Sequence, residues 1–242
     1  MIYLPTIQGI IDRRILINYR LAPELLKGIL PSPFRPKVVQ GWAIAGFCLI
    51  RLKALRPSAL PASLGLSSEN AAHRIAVEWE ENGQHREGVY IPIRHTSSHF
   101  NTLAGGKLFP GMHRHARFEV VEHDEEFHIN VESDDNETQL TVEAQIAHDL
   151  PQTSIFGSLQ EASTFFEQGS VGYSATKRPD TFDGLELRSR DWHIEPLQVA
   201  RVESSFFDDQ QRFPQGSIEL DCALLMRHID HEWHVQAPVH SC

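Results

Sequence analysis

Histidine is the most conspicuous chemical resource of this chain, with 14 among 242 residues. His113 and His115 stand two apart, a spacing that puts both rings on one face of a strand. Such a pair suits metal ligation, or acid–base work near neutral pH. His228, His231 and His234 form a second group, with Asp230 and Glu232 as nearby oxygen donors, but no single strand or helix aligns all three rings. No Cys-x-x-Cys pair or His-Glu-x-x-His motif accompanies them, so the expectation is a protein with neither a bound metal nor another cofactor.

A second kind of chemistry is capture of an anion. Arg20 could hold a carboxylate or phosphate through a two-pronged contact if it faces inward, and it fits equally well as a surface arginine at a strand end. Glu69 and Asn70 enter a strand that carries His73 and Arg74. His73 alternates with Ile75, Val77 and Trp79, which suits a core histidine and also a pocket histidine. Arg74 alternates with Glu78 and Glu80, the pattern of a solvated ladder of opposite charges.

Covalent signatures are sparse. The five lysines, Lys27, Lys37, Lys53, Lys107 and Lys177, include no adjacent pair. Gly106-Lys107 is not a phosphate loop, because Leu108 stands where Ser or Thr is needed. There is no Gly-x-Ser-x-Gly elbow, and Thr96-Ser97-Ser98-His99 reads as a loop.

The elements that must position these residues are mostly strands. Alternation marks Arg14 to Leu21, His73 to Glu80 and Leu197 to Phe206, and a mostly apolar strand runs from Val38 to Leu52 with bends at Gly41 and Gly46. Further extended segments are expected over 88–94, 116–122, 126–133, 139–147, 171–174, 185–188 and 217–226. Helices are expected over 22–31 and from Ser158, whose Ser-Leu-Gln-Glu opening is a capping box, to Gly169. Roughly ten short strands with few helices predict a mainly β fold: one single-domain antiparallel β-barrel spanning 1–242.

Composition bounds the partners. Against 22 basic residues stand 32 acidic ones, a formal charge of −10. That balance disfavours nucleic acid and anionic membrane surfaces. The near-apolar run from Gly41 to Ile50 is too short to span a bilayer. Three widely spaced cysteines and a start that does not read as an export signal fit a cytoplasmic protein.

Tyr19-Arg20, Leu30-Pro31-x-Pro33, Gly88-Val-Tyr-Ile-Pro-Ile-Arg94 and Ala104-Gly-Gly-Lys-Leu-Phe-Pro-Gly-Met112 together resemble the acetoacetate-decarboxylase-like superfamily. The likeness is closest to a bacterial branch of unknown function, often called YqjF-like, and it is carried by residues 10 to 122. It implies a cone-shaped, mainly antiparallel barrel with a buried pocket. In the decarboxylases an aromatic-Pro pair precedes two adjacent lysines, one of which forms the covalent imine. Here Gly111 and Met112 follow Pro110, so the scaffold is expected without that chemistry. The resemblance and the spacing together nominate Tyr19, Arg20, Glu69, His73, Tyr90, His113 and His115 as ligand-binding residues. Two readings remain open: a barrel that binds a small anionic keto or carboxylate compound, and a non-catalytic barrel that senses a ligand or self-associates.

Overall fold

The structure, a computed structural model, describes residues 6–104, 111–178 and 180–241. Among these, fourteen strands join into one hydrogen-bonded sheet. They are β1 (Ile7–Leu21), β2 (Arg35–Pro36), β3 (Val38–Val39), β4 (Trp42–Pro57), β5 (Leu66–Glu81), β6 (Gln84–Tyr90) and β7 (Arg94–Thr96). Then follow β8 (Arg114–His123), β9 (Glu126–Ser133), β10 (Gln139–Ile146), β11 (Val171–Ala175), β12 (Thr181–Ser189), β13 (Glu195–Ser204) and β14 (Ile218–His240). Two α-helices interrupt them, α1 (His99–Ala104) and α2 (Leu159–Gln168).

The sheet closes twice. One ring runs β5-β7-β8-β9-β10-β13-β14-β1-β4 and returns to β5. The other leaves β5 through β6, β11 and β12, and rejoins β14 before crossing β1 and β4. Pairing is antiparallel except at β7–β8 and β6–β11. Four long strands, β14, β1, β4 and β5, are therefore shared by both rings.

Shared strands must bury both faces, and the sequence supplies two apolar faces. Ile15, Ile17, Phe47, Leu49, Ala71 and Ile75 belong to one core, and Leu16, Ile44, Cys48, Ala72, Ala76 and Leu224 to the other. Gly46, expected as a bend, lies inside uninterrupted β4. A Cβ there would lie 1.9 Å from the Ile17 carbonyl oxygen, so glycine is what lets β1 and β4 approach. Gly41 is the true turn, with φ at 86° beside Gln40 at 50° in the β3–β4 hairpin.

Several boundaries differ from expectation. The segment after β1 makes one 3₁₀ turn, Pro23–Leu26, rather than a full helix. β14 continues past Met226 to His240, with His228 at φ 55° breaking its alternation. Residues 99–104, where the sequence marks no helix, form α1. Helix α2 matches its signal: Ser158 accepts from the Glu161 amide at 3.1 Å, and the Glu161 carboxylate accepts from the Gly157 amide at 2.8 Å.

Candidate functional site: an arginine-lined cavity

The seven nominated residues do not converge. Tyr19 packs its ring on Phe207 at 4.8 Å, and burial, helped by Asp208, pushes its phenol well above the usual range. Tyr90 packs against Phe34 and Phe182. Glu69 is engaged by Arg13 at 2.6 Å and Arg51 at 2.5 Å, and the same two arginines also hold Glu122. Arg20 alternates away from Tyr19 and pairs outward with Glu219 at 2.6 Å, with Asp221 at 3.6 Å. It is the strand-end arginine of the two readings, because strand alternation opposes it to a buried tyrosine.

His73 is wholly buried among Phe47, Phe206 and Phe207. Neither of its ring nitrogens has a hydrogen-bond partner among the described residues. Burial, reinforced by His95 and Arg212, lowers its pKa to about 3, so the ring is neutral. His113 and His115 part company. His115 stacks on His99 with centroids 4.0 Å apart and bonds Asp134 at 2.9 Å. His113 precedes β8; burial and the nearby Arg94 guanidinium lower its pKa to about 4. Among the described residues no group of three or more His, Cys, Asp or Glu side chains is placed to hold a metal ion. Lys107 lies outside the described residues.

What does converge is a set the sequence reading left aside. Strands of the second ring enclose a cavity of about 90 Å³, and each of its seven strands contributes to the lining. Arg14 of β1, Arg74 of β5 and Arg94 of β7 all line it, with Cys48 of β4 and Trp233 of β14. The alternation of β5 placed Arg74 in a solvated ladder; it is instead 4% exposed. Its register partner is Gly46 of β4, and its neighbours on the same face are Ala72 and Ala76, so it lies in the second core rather than in water. One amino group donates to Asn18, and the guanidinium stands 5.0 Å over the Phe166 ring of α2.

None of these three arginines has a carboxylate partner among the described residues. Arg14 reaches the Met226 sulfur at 3.9 Å and stands beside the Cys48 side chain, and Arg94 donates to Ser174 at 3.0 Å. The Nε atoms of Arg14 and Arg74 are unpartnered. Burial lowers all three pKa values, to about 10 for Arg74 and Arg94, which still leaves them charged at neutral pH. Arg74 is buried and Arg14 and Arg94 are half-buried, and gathering unpaired cations where water is scarce is unfavourable unless an anion joins them. The lining of the cavity is therefore positive, with three guanidiniums and no carboxylate among its described residues.

One of the two positions that follow Pro110 bears on this cavity. Gly111 takes φ 79°, and a Cβ built on it would meet Ser174 Cβ at 2.8 Å and Arg94 Nε at 3.3 Å. A side chain at this position is thus directed at the Arg94–Ser174 pair.

Comparison with solved structures defines the class of fold. The acetoacetate decarboxylase of Legionella pneumophila superposes with a TM-score of 0.59 at 13% identity, over 96% of this chain and 87% of that one. An acetoacetate decarboxylase-like enzyme from Sphingomonas wittichii gives 0.57 at 11% identity, over 98% and 92%. The enduracididine biosynthesis enzyme MppR, complexed with pyruvate, gives 0.58 at 12% identity, over 97% and 89%. The chain has the acetoacetate-decarboxylase-like fold. It belongs to DUF2071, a family of uncharacterized conserved proteins whose model matches residues 11–224. No curated protein matches it.

Proposed function

We propose that this protein binds a compact organic anion, a keto or carboxylate compound, in the arginine-lined cavity, with no lysine imine. The observation that carries the reading is the convergence of Arg14, Arg74 and Arg94 on one cavity without a carboxylate among its lining residues. A volume of about 90 Å³ is roughly three times a water molecule's share of liquid, a scale suited to a compact acid. Binding of pyruvate by MppR, whose fold is shared, is compatible with this size and charge. No lysine lines the cavity among the described residues. Lys37 alone of the described lysines is partly buried, and Glu87 holds its ammonium.

A non-catalytic ligand sensor is the second reading. It is favoured by the first core, where Phe47, Phe206 and Phe207 pack around His73, with Phe213 behind the last two, instead of leaving it a substrate. In either case we place the chain in the cytoplasm as one domain, with no nucleic-acid or membrane partner and with self-association open. No helix among the described residues is long and apolar enough to cross a membrane.

A thermal-shift panel of pyruvate, oxalate, acetoacetate and phosphate tests the reading. A ligand at about one hundred times its Kd adds about 2.7 kcal/mol to the native state and raises Tm. At least one small carboxylate is expected to do so and uncharged acetone is not. No response to any anion at millimolar concentration refutes it. Sodium borohydride with acetoacetate is expected to leave no covalent adduct, and a trapped lysine adduct would contradict the imine-free mechanism.

A further inference from the structure

The cavity that holds the three arginines also holds a thiol. Cys48 lies on β4 with its neighbours Ile50 and Leu52 on the same lining, and it forms no disulfide. Its sulfur is within hydrogen-bonding reach of Arg14, and Arg74 and Arg94 line the same cavity. An inert core cysteine packs among apolar groups. This one faces three guanidiniums, one of them 4% exposed with an unpartnered Nε. Cys222 is the contrast: it is 1% exposed, does not line the cavity, and burial with the adjacent Asp221 pushes its thiol far up.

We propose that Cys48 is the nucleophile of this cavity, adding reversibly to the carbonyl carbon of a keto acid whose carboxylate the arginines hold. The proposal rests on the anion-binding reading and deepens it. In the step, a sulfur–carbon bond forms as the C=O π bond breaks, and the thiol proton passes to the former carbonyl oxygen, giving a thiohemiketal. Nothing is oxidised and no group leaves. Fixing the carboxylate beside the sulfur makes the addition effectively intramolecular, and a guanidinium not used on the carboxylate stabilises the developing oxyanion. Carbonyl capture thereby falls not to a lysine after the Phe-Pro pair, where Gly111 and Met112 stand, but to a thiol on β4.

Carbon NMR of the full chain with [2-¹³C]pyruvate tests this. The bound carbon is expected to leave the ketone region for an sp³ resonance distinct from that of the free hydrate, in wild type and in Cys222→Ser. The resonance should vanish in Cys48→Ser and Cys48→Ala, while the pyruvate-induced rise in Tm survives. A bound pyruvate that stays a ketone in wild type, or an sp³ signal that persists without Cys48, overturns the proposal and leaves anion binding intact. Pyruvate that does not bind overturns the proposal, and if no other anion of the thermal-shift panel binds either, the anion reading falls with it. As an independent readout, iodoacetate should alkylate Cys48 about tenfold faster than uncharged iodoacetamide does, because the arginines recruit its carboxylate. Equal or reversed rates would contradict the recruitment.

Discussion

Arg74 concentrates the physics of the site. Its guanidinium is buried, bonded to neutral Asn18 and unpaired with any carboxylate among the described residues. Replacing an uncompensated buried ion with an apolar side chain of similar volume is often neutral or stabilising. Arg74→Met is therefore expected to leave Tm unchanged or raised without ligand, and to abolish the rise produced by pyruvate; a loss of more than about 2 kcal/mol by urea unfolding would mean the charge is already satisfied. The histidines give a second test at this scale. His73 has its pKa lowered from 6.5 to about 3, and His95 and His231 to about 4, each chiefly by burial. The unfolded chain therefore takes up protons that the folded chain refuses, so this contribution is complete above pH 6.5 and is lost as pH falls toward 3. Each tenfold change in proton affinity is worth about 1.4 kcal/mol. Stability by chemical denaturation should drop steeply across that window, and less steeply in His73→Phe. An unaltered slope in the variant would show that His73 is not a source of the acid sensitivity.

Elements decide whether those side chains meet. β4 reaches β1 only because Gly46 is bare, and Gly46→Ala is expected to cost about 3 kcal/mol or to prevent soluble expression, since the clash is with backbone and cannot be relieved by a rotamer. Helix α2 sits against Arg74 through Phe166, and removing its cap with Ser158→Ala should cost about 1 kcal/mol. The limits of β9 and the cap of α2 were legible from alternation and from the Ser-x-x-Glu spacing, which are local signals. The length of β14 was not, because Arg227 to Glu232 is polar except for Ile229 and His228 shifts the alternation. The arginines were missed for a related reason: strand alternation says which residues share a face, not whether that face is covered. The available hint was β4, apolar on both faces, which means that its neighbour β5 is covered on both sides too. Alanines on either side of Arg74 point the same way.

For the whole molecule, the double closure has a consequence for the order of opening. β1 and β4 pair on both sides within both rings, whereas β8 and β9 belong to one ring only. Native-state hydrogen exchange should find the amides of Ile15, Phe47 and Leu49 exchanging only through global unfolding, with those of β8 and β9 opening earlier. Uniform exchange would argue against two rings sharing one central sheet. The barrel expectation and the decarboxylase-like resemblance led to this architecture, while the proposed ligand site lies in the ring whose second seam, β12–β14, no local signal marks. Against a net charge of −10 for the whole chain, a cavity lined by three arginines is a local exception to the molecule's electrostatics.

The most direct measurement is a side-chain ¹H–¹⁵N correlation spectrum of the arginine Nε–H groups, titrated with pyruvate and assigned with Arg74→Met and Arg14→Met. Resonances of Arg14, Arg74 and Arg94 should move together and saturably, while those of Arg20 and Arg201, already paired on the outside, stay in place. Movement confined to the outer arginines, or no movement at saturating anion, would contradict the account.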